Sequence, residues 1–171
     1  MPCLDPLSSR APRVRSERYN VNMKIAIGAD HAGFELKERI KQHLIKEGHE
    51  VDDNGTASSQ SVDYPDYAKR VGEEVAHKQA DLGVLVCGTG IGMALAANKI
   101  HGIRAANVTS EFEAQMLREH NDGNIITLGA RVIDQPTAEK LVDKFLATKF
   151  AGGRHQERVN KIMEIEREGE G

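Results

Sequence analysis

From residue 24 onward, apolar positions switch between two periods. Residues 24–28 (Lys-Ile-Ala-Ile-Gly) and 82–87 (Leu-Gly-Val-Leu-Val-Cys) are apolar runs of strand length without in-and-out polarity. Between them, Leu36, Ile40 and Leu44 recur every four residues, which predicts a helix closed by Gly48. A short strand is expected at 50–52 and a polar loop at 54–64. Pro65 fits the first turn of a helix whose apolar face is Ala68, Val71 and Val75. A further helix is expected to begin at 93–98, and a strand at 102–108. Ser110 is a candidate N-cap for a helix over 111–119. A fifth strand is expected at 124–128. Helices over 136–147 and 156–167 complete the pattern, the last with Val159, Ile162 and Met163 on one face.

Strands that alternate with helices and lack a polar face mark a parallel sheet covered on both sides, the α/β class. The order of the five strands is not legible in the pattern. In open sheets of this kind ligands bind beyond the carboxyl ends of the strands, at a topological switch point. The residues that follow each strand are therefore the ones to weigh.

Residues 1–22 break the pattern. They hold three of the five prolines (Pro2, Pro6, Pro12), no period, and Arg10, Arg13, Arg15 and Arg18 against Asp5 and Glu17. The segment reads as a disordered or loosely attached extension before a domain over 23–171. Its Arg and Ser content also admits a transit peptide, which three prolines make awkward; a secretory apolar core is missing. A chain of 171 residues carries a prior of one domain.

Charge and composition narrow the functional classes. The formal net charge is −3, and subtracting the +2 of residues 1–22 leaves −5 for the rest. That balance argues against a basic nucleic-acid surface, and 4% aromatic residues without Trp argue against base-stacking platforms. No apolar run approaches a membrane span. The only cysteines, Cys3 and Cys87, are far apart, with no metal-ligand spacing. A disulfide framework and a structural zinc site are not expected, and a reducing cytoplasm is the default.

The strand ends carry the candidate chemistry. Gly28-Ala29-Asp30-His31-Ala32-Gly33 follows the first strand, and Cys87-Gly88-Thr89-Gly90-Ile91-Gly92 follows the third. Three glycines in five residues let backbone N–H groups approach an anion, helped by the start of the next helix. A dinucleotide fingerprint needs its third glycine at position 93, where Met93 stands, and no Gly-Lys-Ser/Thr follows for a Walker loop. The loop is left to cradle a phosphate or to stabilise an enolate-like oxygen. Cys87 is open to two readings: a small buried hydrophobe, or a thiolate stabilised by the adjacent amides. His120 lies in a polar, turn-forming stretch, as a surface or a site residue. Asp30 and His31 are an N-cap with a chance neighbour, or a site pair. Arg154 and Arg158, four apart, share a helix face, either solvated or a two-pronged phosphate clamp after Gly152-Gly153. His43, His49, His77 and His101 receive no role.

Taken together the motifs are recognisable. The glycine-bounded 28–34 segment, Asp63-Tyr64-Pro65-Asp66-Tyr67-Ala68, the 87–92 loop, Ala97-Asn98-Lys99, Gly102-Ile103-Arg104-Ala105, His120-Asn121-Asp122 and the 152–159 stretch occur in order. The chain resembles the type B ribose-5-phosphate isomerases, a family that also holds the galactose-6-phosphate and allose-6-phosphate isomerases. The likeness runs from residue 24 to about 163; residues 1–22 look longer than a typical member's N-terminus.

The resemblance implies a Rossmann-like three-layer α/β/α sandwich, a homodimer or dimer of dimers, and no metal or organic cofactor. It implies interconversion of ribose 5-phosphate and ribulose 5-phosphate through a cis-enediolate, a step of the non-oxidative pentose phosphate pathway. By position, Cys87 is the base and His120 the ring-opening acid. Asp30, His31, Gly88, Thr89, Gly90, Ile91, Gly92, Asn121, Arg131, Arg154 and Arg158 bind substrate. A clamp on the far C-terminal helix suggests a site shared between two subunits. The rival readings are an isomerase of allose 6-phosphate or galactose 6-phosphate, a non-catalytic phosphosugar-binding subunit, and, disfavoured by Met93, an NAD-dependent oxidoreductase.

Overall fold

The computed structural model of the chain describes residues 22–169. The expected N-terminal extension, Asn22 aside, and Cys3 lie outside them. The elements run β1 (Lys24–Ala29), α1 (Phe34–Lys46), β2 (Glu50–Asp53), α2 (Tyr64–Ala76), β3 (Leu82–Cys87), α3 (Ile91–Ala97), β4 (Ala105–Asn107), α4 (Glu111–Asn121), β5 (Ile125–Gly129), α5 (Gln135–Ala147) and α6 (Arg154–Glu168). The five strands are parallel, in the order β2-β1-β3-β5-β4.

Local chemistry sets the element ends. Ser110 caps α4 in a capping box: its Oγ accepts from the Glu113 N–H, and Glu113 Oε2 accepts from the Ser110 N–H. Asp134 caps α5 by accepting from the Thr137 N–H. Pro65 occupies the first turn of α2, where its missing N–H costs nothing. The chain turns into α6 through Gly152 and Gly153, both at positive φ.

One strand is shorter than its pattern. The apolar run 102–108 yields only Ala105–Asn107 as strand. The Ile103 N–H turns back to the Ile100 carbonyl, and the Arg104 N–H goes to Asn124 Oδ1. Those donors are spent before pairing begins, and β4 lies at the sheet edge with β5 as its one neighbour. In α6, Val159 is buried, while Ile162, expected on the same face, is exposed.

Two cores form on the two faces of the sheet. On one, Leu36, Ile40 and Leu44 of α1, Ala114 and Leu117 of α4, and Leu141, Val142 and Phe145 of α5 pack on Ile25, Ile27, Val84, Val86, Ile126 and Leu128. On the other, Ala68, Val71 and Val75 of α2 and Met93 and Ala97 of α3 pack on Ala26, Leu85, Cys87 and Ile125. The alternation that splits each strand between the faces is the period of the pleat.

This topology creates the switch point. From β1 the chain goes through α1 on the first face to edge strand β2. From β3 it goes through α3 on the second face towards β4, in the opposite direction. β1 and β3 are neighbours, so their connections diverge and open a crevice between residues 30–33 and 88–92. The crevice is narrow at its base: a Cβ on Gly33 would overlap the Val86 carbonyl.

Candidate active site

Cys87 ends β3 at the floor of this crevice, 5% exposed, and its Sγ accepts the Gly90 N–H at 3.1 Å. The buried-hydrophobe reading of this residue is right about burial, and the sulfur also has an amide donor aimed at it. Among the described residues Cys87 is the one free cysteine. The loop beyond it holds Gly88, Thr89, Gly90, Ile91 and Gly92. Ile91 N–H lies 3.4 Å from Thr89 Oγ1. Tyr64, at the start of α2, lies over Gly92 so closely that a Cβ there would be 2.8 Å from the ring.

Asp30 and His31 form the opposite wall. Asp30 is buried, and its Oδ1 accepts the N–H groups of Ala32 and Gly33, both at 3.0 Å. One carboxylate oxygen thus closes the turn 30–33 ahead of α1; the N-cap of that helix is Gly33, not Asp30. His31 Nδ1 accepts the Val62 N–H at 3.2 Å. With Nδ1 accepting, the proton of the neutral ring is on Nε2, which becomes the donor. Arg131 follows β5 on the other side of Cys87. Its N–H donates to the Gly88 carbonyl at 2.9 Å, and its guanidinium lies against Gly88.

The remaining predicted residues lie elsewhere. His120 and Asn121 are in the last turn of α4, which delivers the chain to the amino end of β5. The segment before α6 is tied there by the Ala151 N–H donating to the Glu119 carbonyl. Arg154 and Arg158 are exposed on the first turns of α6. Between them His155 is buried, and its ring stacks on His120 with centroids 4.1 Å apart and planes 10° from parallel. Burial, then the positive charges of His120, Arg154 and Arg158, hold the His155 imidazole below its ordinary range. The Asn121 Nδ2 donates to the Met116 carbonyl, and the Asn121 backbone carbonyl accepts from Arg104 Nε.

One chain therefore assembles Asp30, His31, Cys87, the 88–92 loop and Arg131 at the carboxyl end of the sheet. It assembles His120, Asn121, Arg154 and Arg158 at the amino end. Asn107, Thr127 and Tyr64 border the first group, and sequence reasoning gave them no role. Asn107 is the last residue of β4 and Thr127 the middle residue of β5, places that spacing alone does not separate from core. Among the described residues, no three His, Cys, Asp or Glu side chains converge as metal ligands, and no helix is long and apolar enough to cross a membrane.

Known proteins share this sequence pattern and fold. The family described as Ribose/Galactose Isomerase matches residues 25–162. Ribose-5-phosphate isomerase B of Escherichia coli K12 is 48% identical over 143 residues, 84% of this chain and 96% of that protein. Ribose-5-P isomerase B of Listeria innocua is 45% identical over 144 residues, 84% and 97% of the two chains. The solved ribose-5-phosphate isomerase B of Clostridium thermocellum superposes with a TM-score of 0.85 at 51% identity, covering 85% of this chain and 99% of that one. The Mycoplasma genitalium enzyme, solved with bound ribulose-5-phosphate, gives 0.81 at 41% identity, covering 85% and 97%.

Proposed function

This chain belongs to the ribose/galactose isomerase family, and from that premise we propose how its two separated residue groups perform the family's reaction. It is an aldose–ketose isomerase that interconverts ribose 5-phosphate and ribulose 5-phosphate. The observation that carries the residue assignment is the Gly90 N–H donating to Cys87 Sγ at the switch point.

Cys87, as thiolate, takes the C2 proton of the open-chain aldose. The electron pair of that C–H bond forms the C1=C2 bond, and the carbonyl electron pair moves onto O1. The resulting cis-enediolate is held by the amide donors of residues 88–92, a preorganised set typically worth about 3–4 kcal/mol per donor removed. The proton on Cys87 then returns to C1, a proton passes from O2 to O1, and the ketose is complete. A placed general base of this kind contributes roughly 10²–10⁴-fold.

Ring opening comes first, with His120 protonating the ring oxygen and Asp30 handling the anomeric hydroxyl. Because His120 sits at the far end of its own sheet, the His120 that serves Cys87 belongs to a second protomer in a homodimer. Arg154 and Arg158 of that protomer, with Arg131 of the first, hold the phosphate as bidentate donors. With one Nδ2 hydrogen on the Met116 carbonyl, Asn121 offers the sugar its second N–H and its Oδ1. The scarcity of cysteine supports a reducing, cytoplasmic setting.

The test is turnover of ribose 5-phosphate, allose 6-phosphate and galactose 6-phosphate by purified protein with a chelator present, beside Cys87→Ala. The expected result is the highest kcat/KM on ribose 5-phosphate, with kcat in Cys87→Ala lower by roughly 10²–10⁴-fold and KM little changed. Retention of kcat within a few-fold by Cys87→Ala would remove the base assignment.

A further inference from the structure

We propose that Asn107 and Thr127 are positioning residues for the Cys87 thiolate, acting through two consecutive peptide groups of the 88–90 loop. The inference rests on Cys87 being the base and extends that reading to the end of β4 and the middle of β5.

The sheet register puts the three side chains on one face. Leu85 is level with Thr127 and Cys87 with Gly129, while Thr127 is level with Asn107. Leu85 and Cys87 both face the α2–α3 layer, and so therefore do Thr127 and Asn107. The loop leaving Cys87 lies down across that face. It crosses β5 at Gly129, where a Cβ would be 2.6 Å from the Thr89 carbonyl oxygen. It ends above β4, where a Cβ on Gly90 would overlap Asn107 Oδ1.

A peptide group is planar, so its C=O and N–H point in opposite directions. The Thr89 carbonyl and the Gly90 N–H belong to one such group. Asn107 Nδ2 donates to that carbonyl at 3.1 Å, and that N–H donates to Cys87 Sγ at 3.1 Å. The next group repeats the logic: Thr127 Oγ1 donates to the Gly90 carbonyl at 2.8 Å, from a fully buried position. Asn107 thus holds the Thr89 carbonyl, and Thr127 holds the Gly90 carbonyl together with the Ala94 N–H at 3.2 Å, while the matching N–H groups go to Cys87 Sγ and towards Thr89 Oγ1. The restraint matters because Gly90, at φ +81°, gives the preceding peptide rotational freedom. A flip there would present the Thr89 carbonyl oxygen to the sulfur in place of an N–H.

The Asn107 amide has a second, otherwise unexplained feature. Its Oδ1 is buried and has no hydrogen-bond partner. A side chain selected only for packing would leave no such orphan. Turning the amide over would set Oδ1 against the Thr89 oxygen, so the orphan follows from keeping the donor on the loop.

The experiment reads the thiolate directly. Iodoacetamide alkylation of the Cys87 peptide is followed by mass spectrometry on folded full-length protein at pH 7 and pH 10, in wild type, Asn107→Asp, Thr127→Val and Thr127→Ser. The expected result is alkylation roughly five- to tenfold slower at pH 7 in Asn107→Asp and Thr127→Val, converging with wild type at pH 10. Turnover should fall in step through kcat with KM nearly constant, and Thr127→Ser, which keeps the hydroxyl, should restore both. Rates within twofold of wild type at pH 7, or equal slowing at both pH values, would overturn the proposal. Should Asn107→Asp fail to fold, Thr127→Val against Thr127→Ser decides it. Turnover retained by Cys87→Ala would remove the base assignment alone, because alkylation does not depend on catalysis.

Discussion

Cys87 and His120 stand at opposite ends of the same sheet. Cys87 closes β3 at its carboxyl end, level with Gly129 of β5, and His120 lies in the helical turn that feeds the amino end of β5. The length of β5 alone puts about 13 Å between those two ends. Across that gap, we propose, the base and the acid that act on one sugar come from two protomers.

That proposal makes a quantitative prediction. Chains carrying Cys87→Ala are mixed, after denaturation and refolding, with chains carrying Arg154→Ala and Arg158→Ala. In a mixed dimer with shared sites, one site holds both defects and the other holds none. With random pairing at equal amounts, activity should recover to about one quarter of wild type. A mixture no more active than its parents would exclude the shared site.

The alternation of apolar strand and amphipathic helix made the parallel sheet and its two helical layers readable, because pleat and helix impose different periods. Strand order was not readable: it depends on which edge each crossover takes, and nothing local in 34–46 or 91–97 encodes that. Arg154 and Arg158 on the last helix already suggested a shared site, but the separation of Cys87 from His120 was not readable, since it follows from the direction of α4. Cys87, Asp30 and Arg131 were legible because they follow strands. Asn107 was not, because its importance comes from a carbonyl belonging to a different segment.

His155 supplies a prediction on pH. Its folded imidazole binds a proton less readily than the unfolded one, first through burial and then through the cations around it. As pH falls through about 6.5, the unfolded chain takes up a proton that the folded chain declines, and stability drops. In His155→Gln that contribution vanishes. Urea midpoints measured from pH 7.5 to 5.5 should decline less steeply than in wild type. Parallel slopes would show that His155 has no share in the acid lability.

Lys37 ties the 53–58 segment to α1. Its Nζ, 1% exposed as a residue, donates to both Asp53 oxygens at 2.9 and 2.7 Å and to the Thr56 carbonyl at 3.3 Å. Glu38 Oε1 lies 2.7 Å away. Burial works against ionised Asp53, but the bonds from Lys37 and Lys41 and from the Gly55 N–H outweigh it and hold the carboxyl low. Lys37→Met should cost about 3 kcal/mol at pH 7, the scale of breaking one partner out of a buried pair. A group held low stabilises above its unfolded value and loses that contribution as acid protonates the folded form. The difference between wild type and variant should therefore shrink towards pH 3 in chemical denaturation. A gap that is the same at pH 3 and pH 7 would assign the loss to packing instead.

Glu74 provides the opposite sign on the other face of the sheet. Burial and then the neighbouring Asp52 carboxylate push its carboxyl up to about 6, against the Asn54 amide, which donates at 2.6 Å, and the charge of Lys24. The folded chain keeps this proton to about pH 6, while the unfolded chain releases it near 4.5. Between those values rising pH favours unfolding, and above them the folded state carries two adjacent carboxylates at a constant cost. Glu74→Gln imitates the protonated form at every pH. The variant should therefore be more stable than wild type at pH 7.5, with the advantage fading as pH falls from about 6 to about 4.5. Because Asn54 opens the loop whose Val62 N–H fixes His31, KM for ribose 5-phosphate should stay within about twofold only if the Gln amide still engages Asn54. Equal stabilities at pH 7.5 would show that Lys24 and solvent already neutralise the pair. An advantage independent of pH would show that the gain comes from packing and not from the shared proton.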